Sequence, residues 1–121
     1  MNYDDNNIFA KILRGDIACQ KIYEDAFALA FNDIHPQAPV HVLVIPKGKY
    51  ISADDFGANA NAGEITGFYR AVAKIAADLN LSADGFRMIS NAGLNGGQEV
   101  PHFHIHLLGG KKLGPMVTKA A

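Results

Sequence analysis

The chain has 121 residues, 49% hydrophobic and 19% charged, with a formal net charge of −1. That size suits one compact domain over residues 1–121, small enough that dimerisation would help cover leftover apolar surface. The near-neutral charge, without a Lys/Arg run, excludes a nucleic-acid electrostatic footprint and points to a small molecule or another protein as partner.

The stretch "NNIFAKILRG" reads as a short helix, capped by Asn6 or Asn7, with Ile8, Ile12 and Leu13 on its apolar face and Gly15 at its end. "KIYED" and "AFALAF" read as two strands around a tight turn at Glu24–Asp25, because Phe27, Leu29 and Phe31 alternate with alanines. "NDIHPQAP" is a turn-rich connection, and "VHVLVIP" is a strand that Pro46 terminates. A single turn is expected at Ser52 to Phe56. Asn61 and Glu64 then form a capping-box-like start to the main helix. Its Ile65, Phe68, Val72, Ile75 and Leu79 recur at helical spacing and predict a face packed on a sheet, ending near Asn80. "GFRMISN" is the fourth strand, "NAGLNGGQEV" a Gly-rich loop and "HFHIHLL" the fifth strand. The tail from residue 111 to 121 has little pattern. Hairpin-type connections with one long helix predict an α+β domain built on an antiparallel sheet.

Cys19 is the only cysteine, so no intramolecular disulfide can form, which fits a reducing compartment. "MNYDDNNIF" is acidic and lacks the apolar stretch of a secretory signal, and no run reaches membrane-spanning length. A cytoplasmic protein with no membrane partner is expected.

The chemistry concentrates in "PHFHIHLLGG". On a strand, His102, His104 and His106 point one way, while Phe103, Ile105 and Leu107 point the other, toward the helix. A metal held by all three is awkward, because the outer two start about 13 Å apart on a regular strand. Zinc needs nitrogens at about 2.0–2.1 Å, and no Cys-x-x-Cys is present. Three histidines of no consequence on one face, at the end of a Gly-rich loop, would be an unusual coincidence. The third reading is a phosphate or nucleotide site. Imidazole is a nucleophile and an acid–base group near neutral pH. Phosphoryl chemistry needs both, plus donors for the non-bridging oxygens. Loop glycines with Asn91 and Gln98 offer those donors. His41, at the start of the third strand, is either a satisfied core histidine or a support within the site. Asp33 is either a surface turn residue or a ribose-hydroxyl acceptor, and His35 reads as incidental.

The string "HFHIHLL" fits the His-x-His-x-His-x-x signature, with x hydrophobic, of the histidine triad (HIT) superfamily. "FNDIHPQAPVHVLVIPK" and "GGQEVPHFHIHLLGG" resemble its Hint branch of nucleotide-binding proteins, and the likeness runs from about residue 7 to 110. The resemblance implies a HIT-like fold. A five-stranded antiparallel sheet would carry a long and a short N-terminal helix, and would pair into a ten-stranded sheet in a homodimer. It implies hydrolysis of purine nucleoside phosphoramidates, such as adenosine phosphoramidate or AMP-lysine, with no metal or other cofactor. By position, His104 would be the nucleophile, its other nitrogen held by the His102 carbonyl. His106 would bind phosphate and help protonate the leaving amine, with His102 and His41 in support. Asp33 would bind the ribose hydroxyls, Ile34 would lie against the base, and Asn91 would contact ribose or phosphate. Gly97, Gln98 and Val100 would form the phosphate-side loop. A dinucleoside polyphosphate hydrolase and a nucleotide-responsive interaction module are the competing readings.

Four departures from the family pattern bear on these expectations. Tyr50 stands where a histidine often follows the proline–lysine stretch of the third strand. Asn7 and Ala10 stand where some relatives carry the Cys-x-x-Cys of a structural zinc site. Glu99 stands where some carry Ser or Thr, and an ionised carboxylate cannot donate to phosphate. The tail also lacks the family's common tryptophan–proline ending, which leaves leaving-group preference open.

Overall fold

The computed structural model describes residues 2–117. Helix α1 (Ile8–Leu13) is capped by Asn7, whose Oδ1 accepts the Ala10 N–H at 2.9 Å. The helix buries Phe9 and Ala10, while Ile8 stays 43% exposed. Ile12 and Leu13 pack toward the sheet as expected, but Phe9 takes the place expected of Ile8, its ring meeting Phe31 5.6 Å away. Gly15, at φ 82°, takes the left-handed conformation that ends the helix.

Strands β1 (Lys21–Glu24) and β2 (Ala28–Asn32) form the expected hairpin. Asp25 Oδ1 accepts the N–H groups of Phe27 at 2.7 Å and Ala28 at 3.0 Å. That turn uses up Ala26 and Phe27, so the second strand starts later than the hydrophobic pattern suggests. Strand β3 (Val40–Pro46) ends at its proline. Helix α2 (Ala53–Asn59) has seven residues, two turns instead of one. Helix α3 (Ala62–Asp78) opens with the full reciprocal capping box of Asn61 and Glu64. Asn80, left-handed at φ 58°, then redirects the chain into an unexpected short helix, α4 (Leu81–Asp84).

Strands β4 (Arg87–Ile89) and β5 (Ile105–Gly109) complete one antiparallel sheet in the order β1-β2-β3-β5-β4. Both strands are shorter than expected. His102, Phe103 and His104 precede the β5 ladder, because their backbone groups bond elsewhere. The Phe103 N–H donates to the Tyr50 carbonyl at 2.7 Å, and the His104 carbonyl accepts from Ser90 Oγ at 2.8 Å.

The sheet is buried on both faces. Ala28, Ala30, Val42, Val44, Phe103, Ile105 and Leu107 meet Phe68, Val72 and Ile75 of α3. The alanines of β2 thus lie under the long helix, where small side chains let it approach closely. Leu29, Phe31, Leu43 and Ile45 point to the opposite face and pack with Phe9 of α1. Among the described residues, no helix is long and apolar enough to cross a membrane.

Candidate active site

Strand pairing places the first two site histidines. Leu43 lies opposite His106 and His41 opposite Leu108, so His41 and His106 are diagonal neighbours on one face of adjacent strands. Their rings sit 5.2 Å apart, with His41 Nε2 and His106 Nδ1 at 2.9 Å. The next ring is also close: His104 and His106 are 5.1 Å apart, edge to face. His102 is fully buried, His41 is 4% exposed and His104 is 7% exposed. The sequence-predicted histidines therefore converge on the α1 side of the sheet, with Phe103, Ile105 and Leu107 on the other.

Hydrogen bonds assign each proton. His102 Nε2 faces the Pro46 carbonyl at 3.1 Å, which can only accept, so Nε2 carries the hydrogen. His102 Nδ1 then accepts from the Tyr3 hydroxyl at 2.5 Å. His104 Nδ1–H donates to the His102 carbonyl at 2.7 Å. The Nε2 lone pair of His104 is left without a proton. The Gln37 N–H donates to His41 Nδ1 at 3.0 Å, so His41 Nε2 carries hydrogen and donates to His106 Nδ1. His106 must then hold its own hydrogen on Nε2. The site pairs a free lone pair on one imidazole with an N–H on its neighbour.

Burial sets the charge state. Desolvation drives His102 down to about 4, against a favourable bond to Pro46. His106 also falls to about 4, first by desolvation and then by the neighbouring His104 and His41. Desolvation lowers His104 too, opposed by its bond to the His102 carbonyl and by the negative charges of Asp33 and Glu99. At neutral pH all three triad rings are uncharged, the state a nucleophilic imidazole needs.

The other expected residues divide into two groups. Asp33 joins the cluster: its Oδ2 lies 3.3 Å from His41 Nε2 and 4.0 Å from His106 Nδ1, while Oδ1 accepts the His35 N–H at 2.8 Å. Asp33, His41 and His106 bring their ligand-type atoms within 4.8 Å of one another, as a metal site would. A metal on His41 Nε2 would need the lone pair that the Gln37 bond has assigned to Nδ1, so the cluster is built as a hydrogen-bond relay. Ile34 stands out at 82% exposure. Val100 packs beside the Phe9 cluster. Gly97 takes φ 75°, and its N–H closes a turn on the Leu94 carbonyl at 3.1 Å. Gln98 braces the loop: its amide donates to the carbonyls of Ile51 at 2.6 Å and Val100 at 3.0 Å, and accepts from the Gly93 N–H at 3.0 Å. Asn91 lies half-buried at the start of that loop.

Sequence reasoning missed four contributors. Tyr3 lies in a segment that shows only acidic and polar residues, and Gln37 in a turn read as a connection. Ser90 acts on the His104 carbonyl. Phe9 packs edge-on against His104, with ring centres 4.9 Å apart. Of these, only Phe9 had a signal, an aromatic on a short helix next to the apolar positions.

Comparison with known proteins agrees along nearly the whole length. The chain is 55% identical to an uncharacterised 13.2 kDa HIT-like protein of Azospirillum brasilense, over 97% of this chain and 96% of that one. It is 42% identical to the purine nucleoside phosphoramidase of Escherichia coli, over 94% of this chain and 95% of that protein. A solved histidine triad protein from Clostridium difficile superposes with a TM-score of 0.84 at 43% identity, covering 97% of this chain and all (100%) of that one. Residues 14–113 match the family model described as the HIT domain, and the chain belongs to that family.

Proposed function

We propose that the protein is a Hint-branch hydrolase that cleaves purine nucleoside phosphoramidates at the P–N bond. The observation that carries the reading is the 2.7 Å bond from His104 Nδ1–H to the His102 carbonyl, which leaves Nε2 as a free lone pair on a ring only 7% exposed. The 42% identity to a protein named purine nucleoside phosphoramidase supports the substrate class.

In this reading His104 Nε2 attacks phosphorus, the P–N bond breaks, and a nucleotidyl-histidine forms. The His104 ring then carries positive charge, which the His102 carbonyl stabilises through Nδ1–H. A bound phosphate anion favours the imidazolium form of His106 over the neutral form of the free protein; the added proton takes Nδ1, and the His41 Nε2–H turns to Asp33 Oδ2, 3.3 Å away. Asp33 Oδ2 is its counter-charge from the protein side. His106 gives its Nε2 proton to the leaving amine. Water then attacks phosphorus, returns a proton to His106, and releases the nucleoside monophosphate with His104 restored. The loop from Asn91 through Gly97 and Gln98 to Val100 would frame the phosphate, with Ile34 against the base and Asp33 within reach of the ribose.

We extend the proposal to a homodimer with a continuous ten-stranded sheet. The short edge strand β4 and the exposed Met88 (49%) and Tyr69 (45%) support it. Sedimentation equilibrium reads that directly: a monomer at all concentrations would overturn it.

The deciding experiment supplies adenosine phosphoramidate and, separately, a diadenosine polyphosphate, and measures released AMP. Faster turnover of the phosphoramidate is expected. Preference for the polyphosphate overturns the P–N assignment, and AMP binding without hydrolysis of either favours a nucleotide-responsive interaction module.

A further inference from the structure

We propose that Tyr3 is a positioning residue for the chemistry at His104, acting through the ring and carbonyl of His102. The kinetic part of this inference rests on the hydrolase reading above; the structural part does not.

His102 contributes two things to the site: a ring that faces no solvent, and a carbonyl that orients the nucleophile. The ring is pinned at both nitrogens. Its Nε2–H donates to the Pro46 carbonyl at 3.1 Å, and its Nδ1 accepts from Tyr3 Oη at 2.5 Å. The phenol ring stands edge-on to the imidazole, with centres 5.6 Å apart at 73°. The main chain of the same residue is held by its N–H on the Val100 carbonyl at 2.9 Å, and its own carbonyl receives His104 Nδ1–H. A route of four consecutive groups therefore runs from the Tyr3 hydroxyl to the lone pair that attacks.

The segment before α1 is built to deliver this hydroxyl. The Asp4 carbonyl accepts the Asn7 N–H at 3.2 Å and Asn7 Nδ2 at 2.7 Å. The Asp5 carbonyl accepts Arg14 Nη1 at 2.7 Å, and the Asp5 carboxylate pairs with Lys49 Nζ at 2.8 Å. Asn7 itself is 6% exposed and caps α1. Residues 4 to 7 are thus fastened to α1 and to the segment after β3, and Tyr3 hangs from that fastening into the triad.

The electrostatic consequence is specific. A donor on His102 Nδ1 occupies the lone pair that a proton would take, and so holds His102 neutral. A charged His102 would stand beside the positive charge that forms on His104 during attack. Burial raises the Tyr3 phenol further above its usual range, so it remains an O–H donor throughout the working pH.

The test is Tyr3→Phe, which keeps the ring and removes only the donor. Two readouts are taken on the full chain: ring ¹⁵N shifts of His102 and His104 by long-range proton–nitrogen correlation, and steady-state turnover of adenosine phosphoramidate. The expected result is a His104 population that is no longer purely Nδ1–H, with kcat lowered about tenfold and KM within about twofold. A His104 spectrum identical to that of the wild type overturns the inference. So does an unchanged kcat in an active protein. The nitrogen spectrum needs no substrate. If the wild type fails to cleave the phosphoramidate, the function above falls, while the change or constancy of the His104 tautomer still decides the role of Tyr3.

Discussion

The two faces of this sheet are buried in different ways. The face under α3 is covered by a 17-residue helix and packed with Phe56, Phe68, Phe103, Ile105 and Leu107. The face under α1 is covered by a six-residue helix and the segment before it, and buries His41, His102 and His104 among Leu29, Phe31, Leu43 and Ile45. On the first face, burial stabilises through removal of apolar surface from water. On the second it costs desolvation of polar rings, offset by hydrogen bonds. Among the described residues, no buried side-chain nitrogen or oxygen lacks a partner. The stability forgone on the α1 side is what fixes the tautomers, so one sheet holds an apolar stabilising layer against a hydrogen-bonded histidine layer.

Substituting one residue on each face should separate these roles most widely. His104→Ala is expected to lower phosphoramidate turnover by about 10⁴-fold or more while the protein stays folded. Wild-type turnover in that variant would remove the assigned nucleophile. Phe68→Ala is its counterpart: a fully buried ring at 0% exposure is lost from the α3 face. Chemical denaturation should show a loss of about 3–5 kcal/mol. The turnover of the fraction still folded should hold near the wild-type value. A large change in kcat at Phe68 would mean that the two faces are coupled.

A smaller effect is expected from His106→Asn, which removes the Nε2–H donor but not the attacking lone pair. Turnover should fall about 10²–10³-fold, and least for substrates whose leaving amine is a weak base and needs little proton donation. A uniform loss across leaving groups would place His106 on phosphate binding alone.

These contrasts also show what the amino-acid pattern can and cannot convey. Periodicity reports which residues share a face, and so Phe68, Val72 and Ile75 of α3 and the alternation of Phe103, Ile105 and Leu107 were readable in advance. The convergence of His41 on the triad needs the β3–β5 register, a long-range pairing that a strand pattern does not specify. Expected from the family resemblance but not from periodicity, the His104–His102 carbonyl bond exists because residues 102–104 leave the ladder. Tyr3 escaped because its partner lies 99 residues away and no local signal marks it. Gln98, expected at the phosphate, uses its whole amide to brace the loop from within.

Acid titration sharpens the same comparison, because the histidines that burial pushes below their usual value lie on the α1 face. His102 sits near 4 when folded, against 6.5 when free, so the unfolded chain binds the extra proton first. Its neutral burial contributes fully above about pH 6.5, and stability falls as pH drops toward 4, by up to on the order of 3 kcal/mol. His102→Phe should flatten that part of the stability–pH curve, followed by denaturation midpoints between pH 7 and 4. An unchanged slope would mean that other groups carry it.

The smallest expected effect tests Glu99, a charged residue of the loop that runs into the triad. Glu99 holds its carboxylate near enough to His104 to oppose the desolvation that lowers it. Glu99→Gln removes that opposition, so His104 should fall further and stay neutral to lower pH. The acid limb of kcat/KM, which reports the free protein, should then move down by about a few tenths of a pH unit. A shift upward, or none at low ionic strength where an exposed charge acts most strongly, would show that Glu99 does not act on the nucleophile through its charge. Its place beside the loop would then bear on the leaving group instead, and the same variant assayed with amines of different charge would show the change in KM alone.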